Sequence, residues 1–176
     1  MSATDRFIHN LSELPTAKLA QIRALTGQPL NRSLSGFDLF TGLWWPIRER
    51  NPRVPPREVS WLVTKLYAAA PIPHCRGDFY QFPTLLRRCE PRNDLGRKRF
   101  RLRFDAILNS SLAHIEPHFS WALRTIQVLP SAHLDWVQLT DDLSYWDRES
   151  QKTDQPIRSR WASLYLPNSI HFNPQD

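Results

Sequence analysis

The organisation of this 176-residue chain is set by residues 96–110, GRKRFRLRFDAILNS, which begin as a cluster of cations and end as apolar sequence. At about 100° per residue, four apolar side chains fall on one face and predict a helix packed inward: Phe100, Phe104, Ile107 and Leu108. Arg99 and Arg103 lie four residues apart beside that stripe, where like charges repel by a few tenths of a kcal/mol. We expect these cations to be kept for a polyanion, and a solvated helix face is the alternative interpretation.

Positive charge is concentrated in the middle third of the chain. Residues 48–103 carry 14 Lys and Arg against 5 acids, although the net charge of the whole chain is only +6. Arginine outnumbers lysine 19 to 4, and guanidinium groups bind phosphate through two hydrogen bonds. This pattern predicts contact with a nucleic-acid backbone rather than with a membrane, because the basic stretch has no opposing Trp/Leu face.

The composition narrows the class of protein. Five glycines and 15 prolines, with no GxxxxGK(S/T), GxGxxG or GxSxG motif, argue against phosphate-loop, dinucleotide-binding and α/β-hydrolase chemistry. The sequence contains no run of about 18 apolar residues, so we expect no membrane span. The first ten residues resemble neither a signal peptide nor a transit peptide. Cys75 and Cys89 have no CxxC partner, so we expect reduced thiols and a cytoplasmic protein.

Apolar periodicity predicts an all-α fold of about eight or nine helices in two packed subdomains. The predicted helices cover residues 4–14, 16–25, 37–47, 57–70, 79–89, 96–110, 117–129, 134–147 and 156–166. Pro46 is expected to bend or close the third helix. We divide the chain into an N-terminal helical subdomain (1–70), a linker region with a short helix (71–95), a C-terminal helical bundle (96–166) and a tail (167–176) that is expected to fray.

Catalytic and metal-binding patterns are weak. Two histidines, His114 and His118, are four residues apart but have a proline between them, and zinc needs three or four ligands. Asp135, Asp141 and Asp142 are the candidates for a magnesium-dependent nuclease, yet the last two are sequence neighbours that diverge by about 100° on a helix. We therefore predict no catalytic residue, no metal and no cofactor.

Most of the seven tryptophans lie on predicted core stripes, although a base-stacking platform is the alternative use of such side chains. Trp45 and Trp121 are the two that the periodicity does not place inward. The role of the segment 71–92 is not predicted either.

An ordered set of segments resembles one known family. These are Arg99 to Phe104 leading into Ile107-Leu108, the helix over 117–129, the string Leu134 to Leu139 with Asp142-Leu143 and Trp146, and Arg158 to Tyr165. Residues 19–25 and 56–70 match more weakly. Together they resemble the CasB family, the small subunit of the type I-E Cascade CRISPR surveillance complex.

The resemblance implies an all-helical, non-enzymatic protein. Two copies are expected to lie end to end, beside the backbone and large subunits, with basic surfaces on the hybrid of guide RNA and target DNA and on the displaced strand. The alternatives are a helical nuclease and a helical adaptor that binds an acidic protein. The predicted nucleic-acid-binding residues, from the charge pattern and the family's basic positions, are Arg23, Arg53, Arg57, Lys98, Arg99, Arg101, Arg103, Arg124, Arg158 and Arg160.

Overall fold

The computed structural model describes residues 1–148 and 156–166, and these form an all-α fold, as predicted. Within those ranges there are nine α-helices: α1 (Ala3–Ser12), α2 (Thr16–Arg23), α3 (Leu34–Arg50), α4 (Arg57–Ala69), α5 (Phe82–Arg88), α6 (Asp94–Asn109), α7 (Glu116–Gln127), α8 (Trp136–Ser144) and α9 (Ile157–Tyr165). Two short 3-10 helices cover Leu30–Arg32 and Asp78–Tyr80. The predicted tail, 167–176, and most of the predicted loop before α9 lie outside the described residues.

The largest difference from the sequence prediction is in α3, which begins three residues earlier and does not stop at Pro46. The hydroxyl of Ser33 accepts a hydrogen bond from the Gly36 N–H at 3.0 Å and so caps the helix at an earlier point. Pro46 lies inside the helix, where it removes one backbone hydrogen bond. Trp44 and Ile47 are buried on either side of it, and this packing holds the helix together through the proline.

Helix α4 is the centre of the core. Ten of its residues are buried, and it packs against α2, α3, α7 and α8. The indole of Trp136 on α8 lies 5.2 Å from the Tyr67 ring of α4 and donates its Nε1–H to the Ile72 carbonyl at 2.7 Å. One continuous apolar cluster therefore runs across the predicted boundary at residue 70, and the division into subdomains stays a prediction.

The segment 71–92 ties the two halves of the chain together. Arg76 donates to the Asp5 carboxylate of α1 at 2.5 Å, while Phe82 of α5 stacks on Phe119 of α7 at 4.7 Å between ring centroids. The same Phe82 ring packs 5.0 Å from the Trp161 ring of α9. Phe82 of this segment is thus part of the core, and the assignment of the region as a linker stays a prediction.

A buried ion pair fixes the turn after α2. Lys65 of α4 donates to Glu116 of α7 at 2.6 Å and to the Gln28 carbonyl at 3.1 Å, and Glu116 also accepts the Gly27 N–H at 2.9 Å. Gly27 has a φ of 78°, which favours glycine because a Cβ meets the following carbonyl oxygen.

Replacing this glycine is expected to destabilise the protein through the backbone alone. A Cβ at Gly27 would contact nothing within 4 Å, so Gly27→Ala should lower the free energy of unfolding by about 1–2 kcal/mol. Gly27→Asn should cost less, because asparagine tolerates this conformation. The matched control is Gly42→Ala inside α3, where a Cβ also meets nothing and alanine should add about 0.5–1 kcal/mol. Urea unfolding measures all three, and equal effects at the two glycines would contradict the argument.

None of the described helices combines the length and apolar character needed to cross a lipid bilayer.

Candidate nucleic-acid interface

Helix α6 presents its cations beside its buried stripe, as the periodicity predicts. The side chain of Asn93 accepts the Gly96 N–H and caps the helix. Phe100, Phe104 and Ile107 then face the core. Lys98 and Arg99 are exposed, and neither has an ion-pair or hydrogen-bond partner among the described residues. These two cations are therefore available to an external anion.

Arg101 differs from its neighbours on α6 because it has an internal partner. Its Nε donates to Glu90 at 2.5 Å, and this hydrogen bond raises the pKa of the Arg101 guanidinium. Glu90 also accepts from the Tyr165 hydroxyl of α9 at 3.3 Å. Arg101 thus helps to fasten α6 to the loop before it and to α9, although nearly half of its side chain is exposed.

Arg103 and Arg124 extend the α6 cations onto α7. The Arg103 guanidinium lies 4.9 Å from the centroid of the Trp121 ring, and Phe100 meets the same ring edge-on at 5.1 Å. Trp121, which the periodicity left unplaced, is therefore an internal packing partner. Arg124 is exposed three residues further along α7 and has no partner among the described side chains.

Arg23 borders this region from α2. Its Nε donates to the Ala68 carbonyl of α4 at 2.9 Å, which orients the exposed side chain. Thr26 and Gly27, in the turn that follows, line a cavity of about 710 Å³ together with Trp121 and Arg124. The turn after α2 and Arg124 of α7 therefore line one surface.

A second basic cluster surrounds the loop between α3 and α4. Arg53 and Arg57 line a cavity of about 630 Å³ together with Arg48 and Arg148. Arg57 is 3.5 Å from Glu58, and Arg48 donates to the Pro52 carbonyl at 2.6 Å. The Arg53 side chain forms neither an ion pair nor a hydrogen bond within the described ranges. We call Arg48, Arg53, Arg57 and Arg148 the basic cleft.

Arg48 and Arg148 were not among the residues predicted from the sequence. Arg48 falls within the basic stretch RERNPRVPPR, so its charge was visible there, but a helical position at the end of α3 was not expected for it. Arg148 is 100 residues away in an acidic region, and no sequence signal connects it to Arg48.

The two basic regions are connected by neighbouring cavities. A cavity of about 640 Å³ shares Gly27 and Glu116 with the one beside Arg124, and it shares Arg57 and Glu58 with the basic cleft. A path therefore leads across the surface from α7, past the turn after α2, to the start of α4.

Arg158 and Arg160, the two predicted positions on α9, have internal partners. Arg158 stacks 4.6 Å from the centroid of the Trp146 ring, donates to the Trp146 carbonyl at 3.0 Å and lies 3.5 Å from Asp147. Arg160 forms an ion pair with the buried Asp142. Both guanidinium groups hold α9 against α8 and the end of α6.

The three acids considered for a nuclease are engaged separately. Asp135 caps α8 by accepting the Gln138 N–H at 2.9 Å, and Asp141 accepts the Thr4 hydroxyl at 2.7 Å. Asp142 accepts from the Trp161 indole at 2.7 Å. Across residues 1–148 and 156–166, no three His, Cys, Asp or Glu side chains are grouped as a metal site would need.

Comparison with known proteins identifies one family. The family model for the CRISPR-associated protein Cse2 matches residues 18–165. The crystal structure of M. ruber CasB is similar with a TM-score of 0.71 and 20% sequence identity, over 95% of this chain and 94% of that one. At this identity the structural match shows a shared fold. No curated protein sequence matches the chain.

Proposed function

The chain belongs to the family of the CRISPR-associated protein Cse2, the small subunit of the type I-E Cascade complex, and from this premise we propose that it stabilises the R-loop as a non-catalytic, sequence-independent binder of nucleic-acid backbones. The proposed ligands are the hybrid of guide RNA and target DNA and the displaced DNA strand. The proposed protein partners are the backbone and large subunits and a second copy of this chain.

The observation that carries the proposal is the set of exposed cations without internal ion pairs. Lys98, Arg99 and Arg124 have no partner among the described residues, and Arg103 is held only by an aromatic ring. A basic face that served only solubility would gain nothing from guanidinium groups, whereas phosphate is bound well by their planar fork. Together with Arg23, Arg53 and Arg57, these residues are the proposed phosphate contacts.

Three of the predicted residues have a different role in this proposal. Arg101, Arg158 and Arg160 each pair with an acid that is distant in the sequence. Arg57 also has an acidic partner, but this is its sequence neighbour Glu58, and both side chains are more than half exposed. We propose that these three arginines hold α6 and α9 in place. The cations without internal partners on α6 depend on that arrangement.

The physical reason for such a subunit lies in the energetics of strand exchange. The hybrid that forms is about as stable as the DNA duplex that it replaces, so modest additional binding to the opened state decides the outcome. Each phosphate that is neutralised on a single strand releases counterions, and log K then falls with log[salt] with a slope of about −0.7 per contact. The seven proposed contacts would give a slope of about −5.

The test compares Cascade complexes assembled with and without this subunit on a guide-matched target duplex. R-loop lifetime is measured over a range of about 50–300 mM salt. We expect the subunit to lengthen the lifetime and to make the slope of log lifetime against log[salt] more negative by up to about 5. An unchanged lifetime and slope would contradict the proposal and favour an adaptor. Magnesium-dependent DNA cleavage by the purified chain would favour the nuclease.

A further inference from the structure

The basic cleft adjoins an aromatic groove to which the proposed function assigns no ligand. The groove is a cavity of about 530 Å³ between α3 and the start of α4, and its lining is mainly aromatic: Phe37, Phe40, Thr41, Trp44 and Trp45. Arg57 and Glu58 close one side of it, and both also line the basic cleft. An apolar cavity and a cationic one thus share a wall.

Two side chains of the groove are unusually open to solvent. The exposed fraction of Trp45 is 51% and that of Phe37 is 43%. They lie eight residues apart on α3, with Thr41 midway, so all three fall on one face of the helix. The remaining two rings, Phe40 and Trp44, stack 6.0 Å apart and form the buried floor.

The Trp45 indole is held in place rather than free to turn. Its Nε1–H donates to Glu49, one helical turn further along α3, at 2.6 Å, and its ring centroid lies 6.0 Å from that of Trp44. An oriented, half-exposed indole presents a flat apolar face. Trp121, by contrast, is only partly exposed, and its ring is contacted by Arg103 and by Phe100.

Charge indicates what the groove receives. Four arginines of the basic cleft stand against two acids in that cleft, Glu58 and Asp141, and Asp141 is engaged by Thr4. The occupant therefore combines a flat apolar part with an anionic part next to it. Nucleotides of a single strand have this character, because aromatic side chains stack with bases while cations track the backbone.

We infer that the Phe37–Trp45 groove stacks an unpaired base of single-stranded DNA whose adjoining phosphates lie in the basic cleft. This inference rests on the proposed function, which also indicates that the bound strand is DNA rather than RNA. In an R-loop the guide RNA and the target strand are paired to each other, so the displaced DNA strand is the one whose base faces are free.

The experiment uses the full-length chain and two oligonucleotides of equal charge at about 50 mM salt. One is a thymidine oligomer of about 12 nucleotides, and the other is the same backbone with every base replaced by an abasic residue. Fluorescence anisotropy should show the thymidine oligomer bound more tightly than the abasic one, by about 5-fold to 100-fold, the range expected for one base stacked on an aromatic ring.

Variants assign that preference to the groove. Trp45→Leu should abolish the preference and leave the affinity for the abasic oligomer unchanged, whereas Trp45→Phe should retain part of it. Phe79→Leu is the matched control. Phe79 is an aromatic residue of the 3-10 helix Asp78–Tyr80, its exposed fraction is 79%, and it does not line the groove. Circular dichroism and urea unfolding confirm that each variant is folded.

The outcomes separate this inference from the proposed function. If the wild type binds both oligomers equally, or if Trp45→Leu keeps the preference, the stacking inference is overturned while backbone binding stands. If the wild type binds neither oligomer, the stacking inference is overturned, and the R-loop measurement in the assembled complex decides the proposed function separately. If Trp45→Leu leaves DNA binding intact but prevents assembly with the other subunits, the groove receives a protein and the inference is again overturned.

Discussion

Lys98→Glu, Arg99→Glu and Arg124→Glu introduced together are expected to shorten R-loop lifetime by about 10-fold to 100-fold at about 0.1 M salt. With a slope of about −0.7 per contact, counterion release strengthens binding at about 0.1 M salt by about 0.7 log unit per contact relative to about 1 M salt, so three contacts account for about two log units. The three side chains have no internal partner in the described parts of the chain, so the fold should be preserved. Lifetimes are measured in the assembled complex by competitor challenge and native electrophoresis.

A second triple variant controls for the change in net charge. Arg6, Lys18 and Arg32 are exposed cations that are not among the proposed phosphate contacts, and reversing them alters the total charge by the same amount. We expect their reversal to change R-loop lifetime by less than about 3-fold, since none of the three is a proposed phosphate contact and salt weakens the attraction between exposed charges that do not touch. Equal effects of the two triple variants would show that general electrostatic attraction, and not this surface, carries the binding.

The structure also determines which cations belong in that test. Arg101 stands among the free cations in the sequence, but Arg101→Glu would bring a second carboxylate against Glu90. Such a variant would loosen the attachment of α6 and α9, and a shortened R-loop lifetime would then have two causes. Lys98 and Arg124 have no such partner and give an interpretable result.

Helix class and buried faces could be predicted from the sequence because both are local properties. The spacing of Phe100, Phe104 and Ile107 encodes the inward face of α6, and all three are buried. Helix ends were predicted less well, since they depend on single capping contacts such as that of Ser33 with the Gly36 N–H. Apolar packing around Pro46 likewise outweighed the usual local effect of a proline.

The availability of individual cations could not be predicted, because it depends on partners that are distant in sequence. Glu90 is 11 residues from Arg101, and Asp142 is 18 residues from Arg160. Helical periodicity does not connect residues on different elements, so it cannot reveal such pairs. A count of arginines in the sequence therefore overstates the number that have no internal acidic partner. The same limitation hid the basic cleft, where Arg48 and Arg148 meet only through the packing of the chain.

Asp142→Ala is expected to lower the free energy of unfolding by about 3–5 kcal/mol, because it removes the buried acid of an ion pair whose arginine is partly exposed, together with two further hydrogen bonds. The exposed fraction of Asp142 is 5%. Its carboxylate accepts from Arg160, from the Trp161 indole at 2.7 Å and from the Gln138 amide at 2.8 Å. Without it, one donor on α8 and two on α9 lose their acceptor. Urea unfolding followed by tryptophan fluorescence measures the change, and the Tm should fall by about 6–20 °C.

The neighbouring Asp141 provides the control, because within the described ranges it accepts one hydrogen bond, from Thr4, and it is partly exposed. Asp141→Ala should cost about 1 kcal/mol, which is typical of one hydrogen bond. The double variant Asp142→Leu/Arg160→Met should lose less than the two single changes together, since it removes both charges at once. Asp142→Ala unfolding at the same urea concentration as the wild type would remove the structural role assigned to this carboxylate. It would also reopen the nuclease alternative, for which Asp141→Asn is the cleaner test because it leaves the α8–α9 contact intact.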